Sequence, residues 1–573
     1  MLVLAGCSDS EDRLNSAVQS FADALSRGDA SAAAAVTSDA AKASDTVGKL
    51  FDSLGKDVHF EVGSVERQDN AATFSLKATW KFQDGRNQWT YATTGNATAD
   101  GDNWKIAWNP ATVAPGLDAG PLSYSTLAPD PAARVLDRTG EELLTQHVVT
   151  LVNVSPGADL NAVAALVNPV ASGITADSLQ SDLAAAGGQP ITAVTLRPDD
   201  LAPIEAPLSE LPNVTLAPQT RLLATDKTLT SPALSGLSDL WQQRTDDAGG
   251  WAVNAQTAAG LKRVGGQDPK PVGDIASTLD SGMLRAGEEA LASIATPAAI
   301  VAIQPSTGDV LAVAQNAAAD AQGPIALTGL YPPGSTFKTV TVSAALQAGQ
   351  VTPDRVLPYP GTENIEGRQI PNDDNFDLGE VPLHTAFARS CNTTMGRLAV
   401  NLPPDGLTKA AAALGLGIDY TAPGMTTVTG SVPVADTPAL RVEEGIGQGQ
   451  VTASPFGMAL VAAALAHGSV PSPTIVAGQP GKPDRTLDPL PATVADQVKA
   501  MMRETVTGGT ASQLQDIPDM LGKTGTAEYI DDQHAHGWFV GISGDLALAV
   551  FISDAGSSAP AVDAAGRFLR APS

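Results

Sequence analysis

Cysteine is nearly absent from this chain of 573 residues, which contains only Cys7 and Cys391. Two cysteines are too few for the disulfide framework that stabilises small secreted domains, so folding must depend on hydrophobic cores. Hydrophobic residues make up 43% of the chain, whose length exceeds what a single core supports. The length therefore predicts about three or four domains.

Basic residues are also scarce, because 34 lysines and arginines accompany 62 aspartates and glutamates. The resulting net charge of −28 would repel phosphate backbones and anionic lipid headgroups. We therefore expect no nucleic-acid partner. The charge by itself identifies no other partner, since a solvated acidic surface also explains it.

Long hydrophobic runs are missing as well. No segment reaches the roughly eighteen apolar residues that a membrane helix needs, and the run 451–470 is interrupted by polar residues and Pro455. The opening MLVLAGCSDSED contains Leu4-Ala5-Gly6-Cys7 before an abrupt change to polar residues. This resembles a bacterial lipobox, which implies a truncated signal segment over residues 1–9, lipid on Cys7 and attachment to the membrane. The apolar stretch is shorter than that of a typical signal peptide, so an ordinary near-terminal cysteine is the alternative.

The first 115 residues combine helical and strand-like patterns. Apolar residues spaced three or four apart predict a helix that stops near Gly28, and a second helical stretch covers about 29–55. Four strand-like runs follow, separated by turn pairs such as Asp84-Gly85. This α+β domain, at 10–115, resembles the cone-shaped nuclear-transport-factor-like domain of methicillin-resistance-type transpeptidases. Its expected core, with a ligand pocket as the alternative, contains Trp80, Trp89, Trp104 and Trp108.

The stretch 109–132 is rich in proline, glycine and serine and is predicted to be a linker. After it, ARVLDRTGEELL is similar to the strand that opens the pedestal, or dimerisation-type, domain of class B penicillin-binding proteins. We expect that domain to occupy residues 130–265 and to have a structural role. A third domain, at 274–573, opens with a helix and with PAAIVAIQPSTGDVLAVAQN, which is typical of a hairpin.

The third domain contains three short motifs in a fixed order. They are Ser335-Thr336-Phe337-Lys338, Ser390-Cys391-Asn392 and Lys523-Thr524-Gly525-Thr526. A lone Ser-x-x-Lys decides nothing: Ser53 and Lys56 form another, and Ser335 follows YPPG, where a serine commonly caps a helix. The order of all three, with SCN as a variant of the middle element, is the signature of β-lactamases and penicillin-binding proteins.

The spacing of the first motif supports a chemical role. A serine hydroxyl needs a neighbouring base, and residues three apart on a helix share a face, so Lys338 can reach the Ser335 oxygen. An ordinary lysine, with a pKa of about 10.4, would be charged at neutral pH. Burial and a second cation, expected to be Lys523, would lower that pKa.

The three motifs and the domain order together resemble those of class B penicillin-binding proteins, and this resemblance covers nearly the whole chain. The resemblance implies an α+β multidomain protein whose serine penicillin-recognising domain has an antiparallel sheet flanked by helices. It also implies a peptidoglycan D,D-transpeptidase without a cofactor, anchored by lipid at the outer face of the bacterial cytoplasmic membrane. Its partners would be peptidoglycan stem peptides, β-lactams as inhibitors, and a cell-wall polymerase or division proteins.

The same resemblance assigns roles to individual residues. Ser335, Lys338, Ser390 and Lys523 would be catalytic, with Ser390 relaying a proton to the leaving amine. Asn392, Thr524, Gly525 and Thr526 would bind substrate, Asn392 at the stem-peptide amide and the threonines at the terminal carboxylate. The backbone N–H groups of Ser335 and Thr526 would form an oxyanion hole.

Other functions stay open at this point. A β-lactamase or a D,D-carboxypeptidase uses similar chemistry, and a non-catalytic β-lactam sensor or division scaffold is an alternative of another class. Glu443 and Glu444 lie where a β-lactamase could keep a deacylating base, but a structural role is expected for them. His534 and His536 are expected at the surface or the rim of the site rather than on a metal.

Overall fold

The structure, a computed structural model, describes residues 5–82, 85–171, 173–528 and 534–572. The chain divides into two compact units, one formed by the residues up to 132 with 243–272, the other by 133–242 with the residues from 273 onward. Residues 1–4 of the predicted signal segment lie outside the described residues. Cys7 falls in the first helix, but its side chain lies outside the described part of the chain.

The first unit begins with three helices and a meander of four antiparallel strands. Leu14, Val18, Phe21 and Leu25 are all buried, which confirms the predicted helical face. The second predicted helix is in fact two, because Asp39 begins a new helix by accepting a hydrogen bond from the Lys42 N–H. The elements are α1 (Ala5–Ser26), α2 (Ala30–Ala35), α3 (Ala40–Leu54), β1 (Val58–Gln68), β2 (Ala71–Phe82), β3 (Asn87–Asp100), β4 (Asn103–Ala107) and β5 (Leu122–Leu127).

The core of this unit is aromatic. Trp80 is fully buried, its ring centroid lies 6.1 Å from that of Phe51, and its indole N–H donates to the Tyr91 hydroxyl at 2.9 Å. Trp89 and Trp104 are buried as well, and the half-buried Trp108 packs against the same cluster. The predicted tryptophan core is therefore confirmed.

The next segment contains a mixed sheet in which β7 pairs with β6, β8 and β9, and helices that cover a separate small core. No side chain of the three sequence motifs lies in it. Its elements are β6 (Val135–Leu136), β7 (Glu142–Val154), α4 (Leu160–Val167), α5 (Ala176–Ala185), β8 (Ile191–Leu196), α6 (Pro198–Leu201), α7 (Glu205–Ser209), β9 (Val214–Ala224) and α8 (Pro232–Ala248).

Two strands after α8 return to the first unit, namely β10 (Gly250–Thr257) and β11 (Gly260–Gln267). β10 pairs with β5, and Trp251 lies near Phe82 and Tyr124. The predicted linker 109–132 is therefore wrong in part, because β5 is a strand and Val113, Ala114 and Leu122 are buried. Residues 243–265, predicted within the pedestal domain, likewise pack with the first unit.

The carboxyl-terminal part is built on a five-stranded antiparallel sheet in the order β14-β13-β26-β25-β24. Its strands are β13 (Ala298–Ile303) and β14 (Val310–Gln315), which form the predicted hairpin, and β24 (Leu521–Glu528), β25 (Ala535–Ser543) and β26 (Leu546–Ile552). The remaining strands are short: β12 (Ile275–Ala276), β15 (Val356–Tyr359), β16 (Thr362–Ile365), β17 (Arg368–Pro371), β18 (Gly379–Pro382), β19 (Tyr420–Ala422), β20 (Met425–Thr426), β21 (Gly430–Ser431), β22 (Thr452–Ala453) and β23 (Lys482–Pro483).

Helices flank this sheet, which confirms the expected α+β class. They are α9 (Ser281–Leu291), α10 (Ala317–Asp320), α11 (Ile325–Thr328), α12 (Lys338–Gln347), α13 (Leu383–Ala388), α14 (Asn392–Val400), α15 (Gly406–Ala413), α16 (Pro438–Glu444), α17 (Pro455–His467), α18 (Ala492–Thr507) and α19 (Ala559–Arg570). α17 is apolar on every side and packs against β13, β25 and β26, as expected of a helix buried at the centre of a domain. α12 is buried from residue 338 to 346, and it carries the first motif into this core.

Candidate active site

Ser335 lies in a 3-10 turn, Gly334–Phe337, that continues directly into α12. Within the described residues, neither the turn nor α12 has a side-chain cap, so the capping interpretation of Ser335 is wrong. The reason is that the turn already begins at Gly334, so Ser335 lies inside it, and the N-cap positions of the turn and of α12 are Pro333 and Phe337. Its Oγ lies 2.8 Å from Lys338 Nζ.

Lys338 is fully buried, and its amine is surrounded by oxygen atoms. Its Nζ also lies 2.7 Å from the Ser390 carbonyl oxygen, 3.2 Å from Ser390 Oγ and 2.5 Å from Asn392 Oδ1. Burial lowers the pKa of Lys338 to about 7, with Cys391 and Asp373 acting in the opposite direction. A neutral amine can donate two hydrogen bonds, to Ser390 O and Asn392 Oδ1, and accept the Ser335 proton on its lone pair.

Lys523 approaches the same group from β24. It is fully buried, and its Nζ donates to Ser390 Oγ and to the Thr524 carbonyl oxygen, both at 2.9 Å. Burial and then the charge of Lys338 hold its pKa well below the ordinary value. The sequence argument named burial and a second cation as causes of a lowered pKa of Lys338; burial is the cause that lowers it, and the charge of Lys338 in turn lowers the pKa of Lys523. The Ser390 hydroxyl bridges the two amines.

Ser390 adopts a backbone conformation that is unusual for a residue with a side chain. Its φ is +61°, and the Ser390 and Cys391 N–H groups donate back to Phe387 O and Ala386 O, each at 2.9 Å. This tight reversal joins α13 to α14 and directs both Ser390 O and Ser390 Oγ at Lys338. Such strain typically costs about 1–3 kcal/mol and persists where the surrounding structure enforces it.

The third motif forms the edge strand β24 beside the serine turn. Thr524 is buried, and its hydroxyl lies 2.6 Å from that of Thr510, while Thr526 is partly exposed. Thr510 lies in the segment 506–512, VTGGTAS, which follows α18 and belongs to none of the three motifs. Its contact with Thr524 shows that this segment supports the third motif.

Gly525 permits the close approach of β24 to the serine turn. A Cβ at this position would lie 2.9 Å from Thr336 Cγ2 and 3.0 Å from Pro333 O. We expect Gly525→Ala to push the strand away, at a cost of about 1–3 kcal/mol, and to slow acylation of Ser335 by penicillin at least about tenfold. The matched control is Gly508→Ala, because a Cβ there would meet no atom within 4 Å. Equal acylation rates in the two variants, measured by stopped-flow labelling, would contradict this account.

The structure places the other candidate residues outside this cluster. Glu443 forms an ion pair with Arg368, and Glu444 is buried with a pKa raised to about 7 by burial and by Glu443. His536 was expected at the surface or at the rim of the site, and it is buried against Tyr331, with ring centroids 5.4 Å apart. The surface position was wrong because β25, an interior strand, already begins at residue 535. In the described part of the chain no group of side chains has the composition of a metal site.

Comparison with known families adds two matches. Residues 298–571 match the penicillin binding protein transpeptidase domain, and residues 15–121 match the NTF2-like N-terminal transpeptidase domain. The first match spans all three motifs. The chain therefore contains the transpeptidase domain of the penicillin-binding proteins.

Individual penicillin-binding proteins are similar to this chain over about half of its length. Peptidoglycan D,D-transpeptidase PbpA of Mycobacterium tuberculosis is 29% identical over 363 residues, which cover 54% of this chain and 72% of the relative. PbpA of Mycolicibacterium smegmatis is 31% identical, covering 48% of this chain and 64% of its own. MrdA of Acinetobacter baumannii is 26% identical over 316 residues, which cover 47% of this chain and 46% of the relative.

These findings confirm the expected resemblance to class B penicillin-binding proteins with a methicillin-resistance-type amino-terminal domain. The lipid anchor and the protein partners stay predictions. Among the described helices, none combines the length and the hydrophobicity needed to cross a bilayer.

Proposed function

We propose that this protein is a peptidoglycan D,D-transpeptidase that works through an acyl-enzyme on Ser335. The observation that supports this most strongly is the series of contacts from Ser335 Oγ through Lys338 Nζ and Ser390 Oγ to Lys523 Nζ, with separations of 2.8, 3.2 and 2.9 Å, in which both lysines are fully buried and both serines are partly exposed. Such a chain places a base beside the nucleophile and a proton relay behind it.

In the first half of the reaction, Ser335 Oγ attacks the penultimate D-alanine carbonyl of one stem peptide. Neutral Lys338 takes the hydroxyl proton as the C–O bond forms. Ser390, held between Lys338 and Lys523, passes its hydroxyl proton to the leaving nitrogen and takes the proton that Lys338 removed from Ser335. The C–N bond breaks, the terminal D-alanine departs as a neutral amine, and Lys338 is neutral again. In the second half, an amine of a neighbouring stem attacks the ester carbonyl, its proton passes through Ser390 to Lys338, and Lys338 protonates Ser335 Oγ as the C–O bond of the ester breaks.

The tetrahedral intermediate carries an oxyanion, for which we assign the backbone N–H groups of Ser335 and Thr526. Each such donor is typically worth about 2.7–4 kcal/mol of transition-state stabilisation. Asn392 keeps capacity for substrate, because Lys338 uses one acceptor site of its amide and Pro371 O accepts one of its two N–H bonds at 2.8 Å. Thr524, Gly525 and Thr526 form the strand against which the substrate's terminal carboxylate would bind.

A β-lactam acylates the same serine, and the fate of that ester distinguishes the candidate enzymes. We expect a fluorescent penicillin to label the wild-type protein through a covalent bond that survives denaturing electrophoresis. After the free drug is removed, the fluorescence of the labelled protein should decrease only slowly. Slow loss of label, with little penicillin hydrolysed, is the expected result for a transpeptidase. Rapid turnover of penicillin without accumulated label would instead identify a β-lactamase, and absence of both would favour a non-catalytic protein.

We also propose that Cys7 carries lipid and holds the catalytic domain at the outer face of the cytoplasmic membrane. The support is the stretch Leu4-Ala5-Gly6-Cys7 followed by polar residues. Expressed from its own gene with the upstream sequence, the protein should begin at a diacylated Cys7 in intact mass spectra and partition into detergent. Cys7→Ser should abolish both properties, and an unmodified cysteine in the wild-type protein would contradict the proposal.

A further inference from the structure

Asn372 is a buried polar residue that belongs to none of the three motifs, and only 4% of its surface is exposed. It lies between β17 and the short 3-10 turn Asp373–Asn375, in which Asp374 and Asn375 both have left-handed backbone angles. A strained turn around a buried amide indicates that the side chain has a specific structural or functional role. Its hydrogen bonds show which groups it orients.

The Asn372 side-chain oxygen binds the start of α14, the helix that begins at the middle motif. Oδ1 accepts from the Asn392 N–H at 2.8 Å and from the Thr393 N–H at 3.2 Å. The helix's own N-cap is Cys391, whose sulfur accepts from the Thr394 N–H at 3.3 Å and is a weak acceptor. Asn372 therefore supplies the oxygen that a Ser, Thr, Asp or Asn N-cap normally provides.

The side-chain nitrogen and the backbone N–H of Asn372 are hydrogen-bonded as well. Its Nδ2 donates to Pro360 O at 2.7 Å and to Phe376 O at 3.1 Å, and its backbone N–H donates to Gly361 O at 2.8 Å. The preceding carbonyl, Pro371 O, accepts from Asn392 Nδ2. One turn thus binds Asn392 at both its backbone and its side-chain amide, which leaves Asn392 Oδ1 facing Lys338.

We propose that Asn372 is a positioning residue of the acylation reaction, which caps α14 from outside the helix and so orients Asn392 and Ser390 against Lys338. The inference rests on the proposed acyl-transfer function. Asp373 in the turn and Cys391 both act to raise the pKa of Lys338, and the charge of Lys338 in turn lowers the pKa of Lys523 on β24.

The test measures penicillin acylation by stopped flow and separates the dissociation constant of the first complex from the acylation rate constant. Asn372→Ala should lower the acylation rate constant about 10- to 100-fold, as small misplacements of catalytic groups do, with little change in the dissociation constant. The matched control is Asn364→Ala, because Asn364 Oδ1 accepts only from Gly367 N–H in the neighbouring hairpin. Adding Cys391→Ser to Asn372→Ala should restore part of the rate, because serine supplies an oxygen N-cap.

A second variant covers the case in which Asn372→Ala does not fold. Asn372→Asp keeps the helix-capping oxygen and adds a negative charge near Lys338, so the rising limb of its acylation rate should move to higher pH. Unchanged rate constants and pH profiles in folded variants, confirmed by thermal unfolding, would overturn the inference. A wild-type protein that fails to acylate would instead refute the proposed function, so the two failures are distinguishable.

Discussion

Replacing Ser335 with alanine is expected to abolish covalent labelling by a fluorescent penicillin. The Ser335 hydroxyl is the group that contacts Lys338 at 2.8 Å, and alanine has no atom that can form the ester. Because the substitution removes one oxygen from the end of a turn, the fold should persist, and the variant should still bind penicillin reversibly.

The chain offers a matched control for this experiment in its second Ser-x-x-Lys, Ser53 to Lys56. Ser53 lies at the end of α3 in the other compact unit, where its hydroxyl donates to Leu50 O at 3.2 Å. Ser53→Ala should label as fast as the wild-type protein. If Ser335→Ala were labelled as strongly as the wild-type protein, and peptide mass spectrometry located the label on another residue, Ser335 would not be the nucleophile.

Replacing Lys338 with methionine is expected to slow acylation by about 10²- to 10⁴-fold, the usual contribution of a general base. Methionine retains most of the side-chain volume but has neither a basic nitrogen to accept the serine proton nor an N–H to donate to Asn392 Oδ1. In the wild-type protein the rate should rise with pH through about 7, since Lys338 becomes neutral there. The variant should lack that rise.

Lys56→Met is the control for this substitution, since it changes the lysine of the second Ser-x-x-Lys. It should acylate at the wild-type rate and keep the rise near pH 7. A Lys338→Met variant with a wild-type rate and pH profile would show that another group accepts the serine proton.

The lowered pKa of Lys338 also affects stability. Between about pH 7 and 10.5 the unfolded chain holds this proton more readily than the folded protein, so the free energy of unfolding should decrease as the pH falls through that range. Below pH 7 Lys338 is protonated in both the folded and the unfolded state, so the free energy of unfolding stops decreasing on its account. Denaturant unfolding should show a weaker dependence of this sign in Lys338→Met.

Patterns within short segments were enough to predict many of the parts. The spacing of three or four residues between Leu14, Val18, Phe21 and Leu25 predicted the first helix, and strand-like runs separated by turn residues predicted the strands and the hairpin β13–β14. The three motifs predicted which side chains would meet, because the acyl-transfer chemistry proposed for them requires a base and a relay near one serine. The contacts of Ser335, Lys338, Ser390 and Lys523 agree with that expectation.

Features that depend on distant partners could not be predicted in this way. The pairing of β5 with β10 joins residues more than a hundred positions apart, and the proline-rich composition around β5 suggested a linker instead. The left-handed Ser390 and the burial of His536 depend on the neighbours that enclose them. Asn372 gave no local signal, since its role becomes visible only when α14 is folded beside it.

The central claim is that the ester on Ser335 is transferred to an amine, and product analysis tests it most directly. The protein is incubated with a stem pentapeptide ending in D-Ala-D-Ala and a second stem peptide that carries a free side-chain amine, and the products are identified by mass spectrometry. The account predicts release of one D-alanine for each new amide-linked peptide dimer, and neither product with Ser335→Ala. Release of D-alanine with only the hydrolysed tetrapeptide would contradict transpeptidation and identify a D,D-carboxypeptidase.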